Sequence, residues 1–130
     1  MPQFTINFLD HVAIRAKDQQ RSADWYEKVL GLTKGDFPEW KNHPVFMGGN
    51  NFGIAIFPAI INDPEIDQSS RNSRIDHFAF NVSNEDFEKA KQHYKDLGIE
   101  FKFQDHFYTH SIYIKDPDGH VVELTTFVQR

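Results

Sequence analysis

Two histidines stand at matching places in a short pattern that occurs twice, Asp10-His11-Val12-Ala13 and Asp76-His77-Phe78-Ala79, 66 positions apart. A glutamate, Glu123, lies between Val122 and Leu124 near the end of the chain. Two neutral imidazoles and one carboxylate form a facial donor set suited to Fe(II), Mn(II) or another borderline divalent ion, and they leave coordination positions open for a substrate. Singly, each residue has a plainer reading, since a lone histidine on a strand is ordinarily a satisfied polar group. Glu123 is harder to dismiss, because a carboxylate in an apolar strand is costly unless something pairs with it. With the histidines duplicated, the set reads as a candidate metal centre of His11, His77 and Glu123.

The elements that must position these donors also come in two copies. Residues 9–15 read as a strand, with His11 and Ala13 on one face and Val12 and Ile14 on the other. A helix follows, opening near Asp18 or Ser22, with Trp25, Tyr26, Val29 and Leu30 on its apolar stripe and Gly31 as its stop. Strands are expected at 44–47 and 52–57, around the turn signal Gly48-Gly49-Asn50-Asn51. The order then restarts. Residues 75–81 form a strand, Ser83 caps a second helix carrying Phe87, Ala90, Tyr94 and Leu97, and Gly98 closes it. Strands are expected at 100–103, 111–115 and 120–127, with Asp116-Pro117-Asp118-Gly119 turning the last hairpin. The expectation is an α+β fold of two βαβββ modules, 1–58 and 75–130, joined by a polar connector at 59–74. If equivalent strand faces meet, the two histidines and the glutamate converge.

The bulk numbers leave room for such a protein and exclude others. The chain has 130 residues, 39% of them apolar and 13 of them phenylalanine, enough to build one packed domain. Its 14 Lys and Arg are scattered and outnumbered by 19 Asp and Glu, which argues against a nucleic-acid partner. No run of apolar residues is long enough to span a membrane, and no signal-peptide core opens the chain. Neither feature gives a reason to place it outside the cytoplasm. Without cysteine there is no disulfide frame, thiolate ligand or cysteine nucleophile.

The paired Asp-His openings and the ending Ser111-Ile112-Tyr113-Ile114-Lys115-Asp116-Pro117-Asp118-Gly119-His120-Val121-Val122-Glu123-Leu124 resemble the vicinal oxygen chelate superfamily. That group holds glyoxalase I, type I extradiol dioxygenases, fosfomycin-modifying enzymes and bleomycin-binding proteins. The resemblance covers nearly the whole chain. It implies the paired βαβββ fold and one divalent ion at His11, His77 and Glu123, with Fe(II) first and Mn, Ni, Zn or Mg as the others such donors accept.

Departures sort the members. Glyoxalase I resembles this pattern but adds a fourth ligand, which alignment of residues 54–56 with 122–124 places at Ala55, and alanine cannot ligate. Bleomycin-type binders lack the metal set. The extradiol signature fits better: His106, the pair Ile112-Tyr113, the Asp116-Pro117-Asp118-Gly119 turn and Glu123 fall at allowed gaps, with Gln104 the mismatch. On that resemblance His106 is an acid/base and Tyr113 donates a hydrogen bond to substrate, while His110 stands as the alternative proton carrier. His43, His93 and His120 receive no role. The leading expectation is a ring-cleaving dioxygenase for a small molecule, an aromatic one fitting Trp40, Phe46, Phe52, Phe57, Phe107 and Tyr108, though most such rings belong to cores. A glyoxalase-like lyase or isomerase, a metal-dependent thiol transferase and a non-catalytic binder stay open. Short members of the group dimerise with modules exchanged, and a module of about 65 residues buries little surface alone. A homodimer with shared sites is therefore expected.

Overall fold

The computed structural model describes residues 2–129. Two compact units divide it, Met1–Asp63 and Pro64–Arg130.

In the first unit, β1 (His11–Ala16) leads into α1 (Gln19–Leu30), followed by β2 (Thr33–Lys34), β3 (Val45–Gly48) and β4 (Gly53–Pro58). The sheet order is β1-β4-β3-β2, with β1 parallel to β4 and the other pairs antiparallel. Asp18 caps α1 by accepting from the Arg21 backbone N–H, and Gly31 ends it at φ 69° in the left-handed region. The helix packs on β3 and β4, burying Ala23, Tyr26 and Val29 in a core with Ile14, Val45, Met47, Ile54 and Ile56. Each large side chain in that core contributes about 1.5–3 kcal/mol. Trp25 and Leu30 sit at the margin of the helix stripe and are only half-buried.

The second unit repeats the plan. β5 (Phe78–Asn81) precedes α2 (Asn84–Leu97), then β6 (Lys102–Asp105), β7 (Thr109–Lys115) and β8 (Val121–Phe127), in sheet order β5-β8-β7-β6. Ser83 caps α2 by accepting from the Asp86 N–H, and Gly98 ends it at φ 70°. Phe87 and Tyr94 of α2 join Ile112, Ile114, Val122 and Leu124 in the core. The turn between β7 and β8 is held by buried Asp116, whose carboxylate accepts from the backbone N–H groups of Asp118 and His120 at 3.0 and 2.9 Å. Two sheets of four strands, each with one helix, make the α+β architecture of two βαβββ modules.

Several strands differ in their bounds from the sequence expectation, β1 running over His11–Ala16 rather than 9–15 and β6 over Lys102–Asp105 rather than 100–103. The first module has a third strand after its helix, the two-residue β2, too short to leave a periodic signal. The restart strand begins at Phe78 rather than Ile75, so His77 lies one residue before β5 whereas His11 opens β1. The segment 59–77 contains neither helix nor strand.

Candidate metal centre and proton relay

Strand register shows which residues share a row. Ala13 of β1 pairs with Ala55 of β4, which pairs with Phe46 of β3. In the second unit Ala79 pairs with Glu123, which pairs with Tyr113. The rows are equivalent, so Ala55 occupies in the first module the place Glu123 holds in the second, and Phe46 the place of Tyr113. On these faces side chains alternate away from the helix, because the intervening Ile54, Ile56, Val122 and Leu124 all face the cores.

The second unit gathers four of the five expected site residues. His77 Nε2 is 2.9 Å from Glu123 Oε1, and the glutamate side chain is only 10% exposed. The Tyr113 hydroxyl hydrogen-bonds Glu123 and Ser111 and lies 2.9 Å from His106 Nε2. The Tyr113 ring also meets the His77 ring edge-on, with centroids 5.5 Å apart. Burial first, and the Glu123 charge second, hold the Tyr113 phenol above its ordinary 10.0, so it stays a hydrogen-bond donor. A phenol has a single hydrogen. When it donates to Glu123, its oxygen accepts from His106 Nε2–H, and the two bonds form one relay. His110 stands apart, with Nε2 3.6 Å from Asp105 and its ring against Phe103.

A carboxylate lies against Nδ1 of each expected ligand histidine. His11 Nδ1 is 2.8 Å from Asp10 and His77 Nδ1 is 2.7 Å from Asp76. Metal-binding imidazoles carry this kind of support, since a carboxylate on one ring nitrogen fixes the tautomer and leaves the other to ligate. The bond from His77 holds the Asp76 carboxyl below its usual range. Both aspartates were visible in the sequence as part of the repeated Asp-His pair, but adjacency alone assigns them no partner.

His77 offers a test of fit for a metal ion. Carboxylates lie against both of its ring nitrogens, and a neutral imidazole, with one N–H, serves only one of them; a proton or another cation at Nε2 is needed to serve both. A cation held between Nε2 and Glu123 satisfies both oxygen and nitrogen, so these donors fit a divalent ion. His11 presents the equivalent imidazole in the first unit. Among the described residues no three His, Cys, Asp or Glu side chains come together as a metal-holding group.

Comparison with known proteins decides the family. The profile of the Glyoxalase/Bleomycin resistance protein/Dioxygenase superfamily matches residues 8–124. The chain belongs to that superfamily. Among superfamily relatives, a lactoylglutathione lyase from Escherichia coli O157:H7 is 31% identical over 122 residues, covering 88% of each chain. The glutathione transferase FosA of Serratia marcescens is 29% identical over 116 residues, covering 89% of this chain and 78% of that one. In fold, a glyoxalase/dioxygenase structure from Nostoc punctiforme matches with a TM-score of 0.82 at 17% identity, over 99% of this chain and 97% of that one. Among the described residues no helix is long and apolar enough to cross a membrane.

Proposed function

We propose that this superfamily member is a divalent-metal enzyme for a small molecule bearing two adjacent oxygens, and that its reaction is extradiol-type cleavage of a catechol. The contact of His106 with Tyr113 beside Glu123 carries the reading, because it joins the acid/base and hydrogen-bonding residues of the extradiol pattern at 2.9 Å. His11, His77 and Glu123 would hold the ion, which would supply Lewis-acid chelation of the substrate oxygens and, as iron, redox chemistry toward dioxygen. Tyr113 donates its hydroxyl hydrogen to a substrate oxygen. Once Tyr113 turns to substrate, a neutral His106 with its hydrogen on Nδ1 takes up the proton of a substrate hydroxyl at Nε2 and, as the Nε2–H donor, returns it later. Asp10 and Asp76 keep Nε2 of each histidine as the ligating atom.

A second reading, metal-dependent chemistry on a thiol adduct, is supported by the names of the lyase and transferase relatives. Ala55 speaks against a four-ligand glyoxalase site, since it is 3% exposed and holds the row position of Glu123. The experiment that separates the two starts with metal analysis of protein purified without a chelating tag. Anaerobically iron-loaded protein is then given a catechol panel, and oxygen uptake with a yellow ring-opened product is the expected result. Turnover of a thiol adduct or an epoxide, with no oxygen uptake across the panel, would transfer the assignment to the second reading. His11→Ala, His77→Ala and Glu123→Ala should each abolish tight metal binding, and Ala55→Ser should not. Stoichiometric metal in folded Glu123→Ala protein rejects the donor set.

A further inference from the structure

The loop from Gly35 to Pro44, between β2 and β3, builds an aromatic cluster in the first unit that the proposed chemistry does not use. Phe37 and Trp40 stack at 4.3 Å between centroids with their planes 19° apart. Phe46 of β3 meets both edge-on, at 5.9 and 6.4 Å. Phe37 is 47% and Trp40 43% exposed, so both rings of the stack are reachable from solvent. Beside it lies a cavity of about 300 Å³ whose lining includes Lys34, Asp36, Phe37, Lys41, Asn42 and Phe46. Neither lysine has an ion pair among the described residues. Lys41 is held at φ 53° and Asn42 at φ 60°, backbone that a lysine rarely adopts.

Phe46 connects this cavity to the metal-ligand face. Its ring stands 6.3 Å from the His11 ring, edge-on. It lies down on the sheet because Gly53 and Gly48 leave the space: a Cβ on Gly53 would come within 2.2 Å of the ring, and one on Gly48 within 2.9 Å. Gly53 is also the register partner of His11. The cluster therefore begins beside a proposed ligand and ends at a cavity that has Lys34 and Lys41 among its lining residues.

We infer that the Phe37–Trp40–Phe46 cluster with Lys34 and Lys41 binds a planar aromatic anion, an arene carboxylate, and so selects the ring-bearing end of the substrate. Solvent-reachable rings reward π-stacking, and among the cavity's lining residues two lysines outnumber the single Asp36, Glu39 of the same loop lying outside that lining. The word substrate rests on the reading of the preceding subsection, whereas the binding itself does not.

The test uses calorimetry on the whole, metal-free chain with three probes: 2-naphthoate, the neutral 2-naphthalenemethanol and the non-aromatic cyclohexanecarboxylate. Saturable one-to-one binding of 2-naphthoate is expected, with the other two at least several-fold weaker. Phe37→Ala should weaken 2-naphthoate roughly tenfold, the size of one lost aromatic stack. Lys34→Gln with Lys41→Gln should weaken 2-naphthoate severalfold, leave the neutral arene unchanged, and remove the salt dependence. Unaltered metal affinity in both variants keeps this site separate from the donor set. Equal binding of cyclohexanecarboxylate, no saturable binding of 2-naphthoate, or full affinity in Phe37→Ala protein that retains its wild-type circular dichroism would overturn the inference. Loss of metal binding by the wild-type chain would instead strike the metal reading and leave this one standing.

Discussion

Replacing Asp76 with alanine removes the acceptor on the far side of the His77 ring while leaving the proposed ligands in place. The hydrogen bond lost is the 2.7 Å contact to Nδ1. Without it the ring can rotate and its proton can move to Nε2, the nitrogen needed for the ion. Outer-shell partners of this kind typically change metal affinity by roughly 10- to 100-fold. Asp10→Ala removes the equivalent 2.8 Å contact to His11 and should cost the same factor. The aspartates support different rings, but both rings would hold one ion. The double variant should therefore lose more than either single, with the product of the singles, roughly 10²- to 10⁴-fold, as the value without coupling. Both side chains are 75% exposed, so thermal stability should hardly move. The assay is competition between the protein and a chromophoric chelator, read as Kd at fixed pH. Asp105→Ala is the control: it also deletes a solvent-facing carboxylate, 47% exposed, but one paired with His110. If it weakens the metal as much as Asp76→Ala does, the effect is the field of a chain of net charge −5 rather than ring orientation. An unchanged Kd in folded Asp76→Ala protein would likewise refute the reasoning.

Other outcomes follow from single features. Mixing a His11→Ala chain with a Glu123→Ala chain by co-refolding should restore one intact metal site per heterodimer if sites are shared between chains; heterodimers without metal would place each site within one chain. Gly98→Ala should lower stability by about 1 kcal/mol, a fall in Tm of about 4 °C, because φ is 70° and no neighbour lies within 4 Å to add packing. Burial raises the Tyr94 phenol above its ordinary 10.0. The unfolded chain therefore releases this proton first, and stability that is complete below about pH 10 is lost as pH rises beyond it. Tyr94→Phe should flatten that alkaline loss in denaturation curves taken at successive pH values, and an equally steep curve would rule Tyr94 out as its source.

The legible parts of the fold were those governed by neighbours in sequence. Asp18, Gly31, Ser83 and Gly98 bound both helices because caps act within one turn. The equivalence of Ala55 with Glu123 was also readable, since two strands of one repeat align without knowledge of their partners. Contacts that depend on pairing across the sheet were not. His106 and His110 lie four residues apart and look interchangeable as text, yet they end at different neighbours, Tyr113 for one and Asp105 with Phe103 for the other. The carboxylates on His11 and His77 were overlooked for a different reason: side chains of adjacent strand residues normally diverge. Here Asp10 and Asp76 both precede their strands, where the backbone is free to bring them round.

Ala55 has a consequence for charge. A site built from two imidazoles and two carboxylates would be electrically neutral once a dication entered it. With alanine at the matching row of the first module, the proposed ligands would contribute one negative charge, and a centre loaded with a dication would keep one unit of positive charge. That surplus is available to whatever anionic oxygens a substrate brings. A monoanionic chelate would bring the whole assembly to neutrality, whereas a neutral diol would have to shed a proton to do so. If the proposed ligands hold the ion, alanine in one half of the repeated fold where the other half has glutamate would set the ionisation state in which the substrate is best held.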